Sequence, residues 1–285
     1  MEHCFDTIMA LPNSYGIKNV VRRWQRLSER MTGAPAAKPV ILSDLLLIAK
    51  YGVGKTYVLQ LLSEYLVSRG NLMDFYGDVR FFEFYVNYCR PGEPFHEIGR
   101  LMSSAASAAG FRSEYRGIVC LDINEWTGHF EEKHFIDLLE YLSVNSDYWL
   151  IIFTVSEADR EKLKNLEAVI SMFLRIETAE LRLPPTEELL GYIRKRLKEY
   201  GLSMSRDAEE LLCGTINTLS GNKYFDGYKT LDLLVRDMIY HLYSSKKSCG
   251  EVLTTVDLEM FSESSEYVQR RLLHYETKKR LIGFA

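Results

Sequence analysis

A short glycine-rich stretch carries the clearest chemistry in the sequence. It reads Ala-Lys-Tyr-Gly-Val-Gly-Lys-Thr from Ala49 to Thr56 and lies between an apolar segment and an amphipathic one. Small residues at this spacing let backbone amides wrap phosphate oxygens, while lysine binds the terminal phosphates and a hydroxyl binds Mg²⁺. Ala49 stands where the usual pattern has its first glycine, a difference of one methyl group. We therefore predict a nucleotide-phosphate site made by Gly52, Val53, Gly54, Lys55, Thr56 and Tyr57.

An acidic residue further along the chain fits the same chemistry. The apolar segment from Gly117 to Leu121 ends in Asp122, and an acidic residue at this place in a phosphate-loop protein binds Mg²⁺ or one of its waters. Hydrolysis also needs a carboxylate that orients the attacking water. The nearest acidic residue is Glu125, and Glu83, on a neighbouring predicted strand, is a second candidate. Asp122 and Glu125 also fit a plain capping role.

Alternating strands and helices surround these residues. Buried strands are predicted at Val40–Ile48, Phe81–Tyr88, Gly117–Asp122, Tyr148–Val155 and Ala179–Leu183, and amphipathic helices are predicted between them. Nearly continuous apolar runs are typical of strands covered on both faces. The alternation predicts an α/β fold, with a parallel five-stranded sheet wrapped by helices.

The alternation stops at a pair of prolines. After Pro184 and Pro185, every apolar pattern has helical spacing, for example through Leu231, Leu234 and Met238. We therefore predict two domains, a nucleotide-binding α/β core over residues 1–185 and a small all-α lid over residues 186–285.

Composition excludes several classes of protein. The 285 residues are 47% hydrophobic and 26% charged, values that are typical of folded globular chains rather than disordered ones. The net charge of −4 gives no overall basic field, so nucleic-acid binding is possible only through a local patch and is not favoured. No apolar run reaches the roughly 18 residues of a membrane span. The first residues have no secretory pattern, so we expect a cytoplasmic protein without membrane insertion.

The order of these landmarks resembles that of the AAA+ ATPases over nearly the whole chain. The matching segments, in chain order, are an adenine-contacting segment at Tyr15–Val20, a Walker A motif at Tyr51–Thr56, a Walker B motif at Ile118–Asp122 and a helical lid after Pro185. The resemblance implies a P-loop NTPase fold that takes ATP and Mg²⁺, with Gly16 and Ile17 beside the adenine.

The resemblance also implies residues that sense the nucleotide. The family's sensor 1 falls on Thr154 or Ser156, whose hydroxyls would bind the γ-phosphate or the attacking water, although both also fit strand-end capping. In the lid, the sensor 2 region contains lysines rather than the usual arginine. Lys229 or Lys223 would take that place.

An arginine that acts between subunits is implied as well. Arg175, just before the fifth predicted strand, is similar in position to the family's arginine finger, and Arg160 competes for the role. A guanidinium suits the charge that develops in phosphoryl transfer. A solvated or ion-paired surface role for Arg175 stays open.

These features together predict an ATPase that works as a homo-oligomer, either a ring or a helical assembly. Binding and hydrolysis of Mg-ATP at subunit interfaces would be coupled to remodelling or assembly of a macromolecule, with an unidentified protein as partner. Because Ile123 follows Asp122 where the family has its glutamate, a scaffold or regulatory subunit with little hydrolysis is the alternative. A DNA-associated ATPase of the transposition or replication type is a third reading, which the acidic charge counts against.

Overall fold

The computed structural model describes residues 2–12, 14–31, 41–73, 81–86, 96–102, 115–156, 159–221, 225–244, 252–254 and 257. The chain divides into two compact units, Met1–Arg182 and Leu183–Ala285. The division falls just before the two prolines at which the strand alternation of the sequence ends.

A five-stranded sheet forms the centre of the first unit. All its strand pairs are parallel, and the order across the sheet is β2-β3-β4-β1-β5. The elements in chain order are α1 (Glu2–Ala10), α2 (Tyr15–Met31), β1 (Asp44–Ala49), α3 (Lys55–Ser68), β2 (Phe81–Tyr85), β3 (Gly117–Asp122), a 3-10 turn (Asn124–Trp126), α4 (Lys133–Asn145), β4 (Trp149–Val155), α5 (Arg160–Ser171) and β5 (Ile176–Leu181). Residues 96–102 are also helical. The predicted parallel α/β sheet of five strands is confirmed.

The strand order creates a crevice at the carboxyl end of β1. From β1 the chain passes through α3 to β2 at one edge of the sheet, whereas the connection after β4 runs past β1 to β5 at the other edge. Connections that leave neighbouring strands in opposite directions open a gap, and ligands of open α/β sheets bind in such gaps. The glycine-rich loop starts directly after β1, at this point.

Both faces of the three central strands, β3, β4 and β1, are largely buried. On one face, Leu46, Val119, Leu121, Ile151 and Phe153 pack in one apolar cluster with residues of α4 and α5. On the other face, the alternate side chains, among them Leu45, Leu47, Ile118 and Ile152, are also fully buried. Side chains of a strand alternate between faces, so burial on both faces explains the unbroken apolar runs of β1, β3 and β4.

Helix α2 approaches β5 closely at its first turn. A Cβ atom on Gly16 would lie 3.0 Å from Cα of Ala179 in β5, which is closer than ordinary packing permits. Only glycine therefore allows this contact without a shift of the helix. Ile17 and Trp24 on the same helix are fully buried. Because Ala179 pairs with Leu47 of β1, the start of α2 lies near the end of β1.

The second unit is mainly helical. It contains α6 (Thr186–Glu199), β6 (Ser203–Met204), α7 (Arg206–Ser220), α8 (Tyr228–Ser244) and β7 (Val252–Leu253). The helices share one core, which includes Leu189, Ile193, Leu212, Ile216, Leu231, Leu234 and Met238. The prediction of an all-α lid needs correction, since β6 and β7 pair in parallel. Two-residue strands are too short to leave a periodic pattern in a sequence.

Helix length bears on membrane insertion. Helices α2 and α8 have 17 residues each. A membrane span needs about 20 predominantly apolar residues. Among the described residues, no helix is long and apolar enough to cross a bilayer.

Candidate functional site

The loop between β1 and α3 has a backbone that only glycine adopts readily. Gly52 and Gly54 have φ angles of 77° and 94°, both in the left-handed region. Gly54 is also the residue that caps α3, so no side chain covers the first amide groups of that helix. Those amides have no partner within the helix, and they carry the positive end of its dipole. The loop therefore presents backbone donors suited to an anion.

Lys55 begins α3 and forms an ion pair across to the edge strand of the sheet. Its Nζ lies 3.3 Å from Oε1 of Glu83 on β2, and the two side chains are 26% and 40% exposed. Solvent therefore reaches both charges, and the pair is weak in terms of stability. The ion pair matters for position, because it places the Lys55 ammonium near the carboxyl-terminal halves of β2 and β3.

The strand register brings further predicted residues to the same face. Glu83 pairs with Cys120 of β3, and two residues further along, Tyr85 pairs with Asp122, which pairs with Thr154 of β4. Residues two apart on a strand point to the same side, and paired residues of parallel strands share a side. Glu83, Tyr85, Asp122 and Thr154 therefore project from one face, at the end of the sheet where the loop lies.

The Cys120 thiol lies at the base of this group of side chains. Burial raises the pKa of Cys120 to about 12, the positive charge of Lys55 and a hydrogen bond with Thr154 oppose the rise, and the carboxylates of Glu83 and Asp122 add to it. The strand register places Glu83, Asp122 and Thr154 on the same face as this thiol, and the ion pair with Glu83 brings Lys55 to that face. At neutral pH the thiol is protonated.

Asp122 is held by a residue that sequence reasoning did not single out. The backbone N–H and the side-chain amide of Asn124 both donate to Oδ1 of Asp122, at 3.1 and 2.6 Å. The Asn124 Oδ1 in turn accepts hydrogen bonds from the backbone N–H and the hydroxyl of Ser156, at 2.6 and 2.8 Å. Asn124 thus joins the ends of β3 and β4 and fixes one oxygen of Asp122. None of the described residues donates to Oδ2 of Asp122.

Thr154 differs from Ser156 in its surroundings. Thr154 is 2% exposed, and its hydroxyl has no nitrogen or oxygen hydrogen-bond partner among the described residues. Its polar neighbour is the neutral Cys120 thiol, which is a weak hydrogen-bonding group. A buried hydroxyl without a strong partner is uncommon, because the lost hydration is not replaced. Of the two predicted sensor hydroxyls, Thr154 is therefore the one that a ligand oxygen would satisfy.

Glu125 is bound by the last residue of β2. The Tyr85 hydroxyl donates to Oε1 of Glu125 at 2.5 Å, and both side chains are exposed. Ile123, which follows Asp122 directly, is fully buried and offers no polar group. The phenol of Tyr85 is a further group at this site that sequence reasoning missed, because a tyrosine in a strand usually indicates packing.

The other predicted residues of the loop and of α2 lie around this centre. Val53 is buried, and Thr56 and Tyr57 are exposed in the first turn of α3. Gly16 contacts β5, and Ile17 points into the core. Ile17 therefore has a packing role in the structure.

Arg175 lies at the amino-terminal end of the strands, away from the loop. It precedes β5, and its carbonyl accepts a hydrogen bond from the backbone N–H of Asp44, the first residue of β1, at 2.8 Å. Strands β1 and β5 have six residues each. At about 3.3 Å per residue, the length of a strand places Arg175 about 20 Å from the loop. The pKa of Glu180 is lowered chiefly by a hydrogen bond from Arg182, and Arg160, at the start of α5, adds a smaller effect. The exposed Arg175 is too far away to act on a nucleotide bound to its own chain.

The predicted lid residues belong to the second unit. Lys229 is in the first turn of α8, where its backbone N–H donates to the carbonyl of Asp226 at 3.2 Å. Lys223 lies outside the described residues.

The donors at the carboxyl end of the sheet match the needs of a phosphate and a hard cation. Amide groups and an ammonium group suit phosphate oxygens. The Thr56 hydroxyl and the Asp122 carboxylate offer the oxygen ligands that Mg²⁺ prefers.

The chain matches no known family model and no curated protein.

Proposed function

We propose that the chain is an Mg²⁺-dependent ATPase of the AAA+ type. The observation that carries the proposal is that Lys55, paired with Glu83, lies on the sheet face of Asp122 and Thr154, beside a loop whose two left-handed glycines precede a helix. Amides at a helix start, one ammonium group and one carboxylate at the ends of neighbouring strands suit a triphosphate with its cation.

Each residue has a distinct task in this proposal. Lys55 binds the terminal phosphates, and the amides of residues 52–57 bind the remaining phosphate oxygens. Thr56 and Asp122 hold Mg²⁺, which offsets the negative charge of the phosphates when bound. Thr154 donates its hydroxyl to the γ-phosphate or to the attacking water. Catalysis of this kind depends on positioning and on preorganised charge rather than on covalent chemistry.

The position of Arg175 supports a homo-oligomer as the form that hydrolyses ATP. Its distance from the loop of its own chain leaves a neighbouring subunit's nucleotide as the substrate it can reach. We propose a homo-oligomer in which this guanidinium stabilises charge on the transferred phosphoryl group. Remodelling or assembly of a macromolecular partner, in the cytoplasm, is the work to which hydrolysis would be coupled.

A concentration series tests the ATPase proposal. Steady-state ATP hydrolysis per subunit is expected to rise with protein concentration and to approach a plateau, because assembly completes the site. Arg175→Ala should lower the plateau by about 100-fold, since loss of one electrostatic donor costs about that much, while leaving ATP binding intact. Arg26→Ala on the exposed side of α2 is the control. A rate per subunit that is independent of concentration and of Arg175 contradicts the oligomeric form.

One observation favours a second candidate function, a nucleotide-responsive scaffold with little hydrolysis. Ile123 follows Asp122, and the nearest later carboxylate, Glu125, accepts a hydrogen bond from Tyr85. The scaffold reading predicts ATP binding with negligible turnover at every protein concentration. The same concentration series separates the two functions.

The Asn124 hydrogen bonds give a prediction for Mg²⁺ affinity. Asn124→Ala removes the side-chain amide from Asp122 and from Ser156, so the carboxylate loses its fixed orientation. The Mg²⁺ concentration for half-maximal ATPase activity is expected to rise about 10-fold, the scale found when a hydrogen bond to a metal ligand is removed. Titration with Mg²⁺ at saturating ATP measures it, with Asn145→Ala on α4 as the control. An unchanged Mg²⁺ midpoint would show that Asn124 does not orient the ligand.

A further inference from the structure

The pair between Lys55 and Glu83 has a consequence for hydrolysis. Lys55 is the residue proposed to bind the terminal phosphates, yet its ammonium lies 3.3 Å from a carboxylate oxygen. An ammonium group has three N–H donors, so a γ-phosphate can bind Lys55 beside the carboxylate that already contacts it. The position of Glu83 next to the bound phosphate decides what it does.

Glu83 is held on a strand that cannot move far. β2 pairs with β3 along its length, and the flanking Phe82 and Phe84 pack on the opposite face against the core that contains Trp149. Rotation about the side-chain bonds of Glu83 is therefore the freedom that remains. Its carboxylate stays beside the Lys55 ammonium, on the face that carries Asp122 and Thr154.

Distances then place the carboxylate one water molecule from the phosphate. A lysine ammonium contacts phosphate oxygens at about 2.8 Å, so a carboxylate oxygen 3.3 Å from the same nitrogen lies at most about 6 Å from that phosphate oxygen. One water with two hydrogen bonds of about 2.8 Å spans this gap. A general base must be within such reach of the proton that it abstracts.

We propose that Glu83 is the catalytic carboxylate of this site. It orients the attacking water and accepts its proton, while the water oxygen forms a bond to the γ-phosphorus and the bond from that phosphorus to the β-phosphate oxygen breaks. ADP leaves with the electron pair of the broken bond, and the proton passes from Glu83 to solvent. The assignment rests on the proposed ATP hydrolysis and gives the role predicted for Glu125 to a residue on the neighbouring strand. Glu125, whose Oε1 accepts a hydrogen bond from the Tyr85 hydroxyl, is not the base in this assignment.

Isosteric variants test this assignment. Glu83→Gln keeps the size of the side chain and removes the base, so single-turnover hydrolysis is expected to fall at least 100-fold, the lower part of the range for general-base catalysis. Affinity for a fluorescent ATP analogue should stay equal or become up to about 5-fold tighter, because the negative charge beside the phosphate is removed. Glu125→Gln should lose less than 10-fold in turnover. Glu140→Gln, exposed on α4, is the control for surface charge.

The outcomes are distinct. Retained turnover in Glu83→Gln together with tighter ATP binding is the result of a purely structural ion pair and overturns the assignment. A loss in Glu125→Gln equal to or larger than that in Glu83→Gln also overturns it. Both results leave the ATPase proposal intact, because the unsubstituted chain still hydrolyses ATP. An unsubstituted chain that binds ATP without hydrolysing it at any protein concentration overturns the ATPase proposal and the assignment together.

Discussion

Lys55→Ala is expected to weaken ATP binding about 100-fold and to lower ATP turnover about 1000-fold. Each hydrogen bond from a charged donor contributes about 1.5–3 kcal/mol, and the ammonium group serves two phosphates. Turnover falls further than binding, because the charge on the transferred phosphoryl group is greatest in the transition state. Equilibrium binding of a fluorescent ATP analogue and single-turnover hydrolysis measure the two effects separately.

The folding of the Lys55→Ala variant provides its internal check. The ion pair with Glu83 is partly exposed, so its loss should change the free energy of unfolding by less than about 1 kcal/mol. Lys164→Ala, an exposed position on α5, is the matched control for removal of a lysine. ATP binding of normal strength by a folded Lys55→Ala variant would contradict the nucleotide site.

Asp44→Asn is expected to remove a strong pH dependence of stability. Asp44 is 5% exposed at the start of β1, and its Oδ1 accepts a hydrogen bond from the backbone N–H of Ile151 at 2.8 Å. Burial raises its pKa from 3.8 to about 8, although the hydrogen bond opposes the rise. The folded protein therefore holds a proton that the unfolded chain releases between these two pH values. Its free energy of unfolding falls as pH rises through this window and levels off above pH 8.

The asparagine variant keeps the acceptor oxygen and does not titrate. Each pH unit in the window corresponds to about 1.4 kcal/mol, so the variant should gain about 4 kcal/mol over the unsubstituted chain between pH 5 and pH 8.5. Urea unfolding followed by tryptophan fluorescence measures this gain in the first unit alone, because all three tryptophans, Trp24, Trp126 and Trp149, belong to it. Asp137→Asn on α4 is the control. Parallel pH profiles for Asp44→Asn and the unsubstituted chain would show that Asp44 is ionised in the folded protein.

Burial on both faces explains why the sheet could be predicted. The runs that form β1, β3 and β4 are apolar at nearly every position, which is typical of strands buried on both sides. The strand bounds are predicted less accurately, since β1 begins at Asp44 whereas the predicted strand begins at Val40. A polar first residue leaves no periodic pattern that would mark where a buried strand starts. Helix α1 was not predicted, because nine residues give little more than two turns of pattern.

Only those parts of the candidate site that lie within one local sequence motif could be predicted. The loop and Asp122 have recognisable neighbours in sequence, so their residues could be named. Glu83 and Ser156 could also be named as candidates, but the contacts could not be predicted, because they join segments far apart in the chain. Lys55 contacts Glu83, Asn124 contacts Ser156 32 residues later, and the Tyr85 hydroxyl reaches a carboxylate 40 residues away. Such pairs depend on strand order and register, which the periodicity of one segment does not contain.

The buried thiol at the base of the site has a chemical consequence. Alkylating agents and mild oxidants react with thiolates, and a pKa of about 12 leaves about one molecule in 10⁵ with an ionised Cys120 at pH 7. The side chain is also 1% exposed, so reagents have little access to it. Cys120, next to the residues proposed to bind phosphate, is therefore expected to react slowly. Cysteine-directed inhibitors and mild oxidants would leave this thiol largely unmodified.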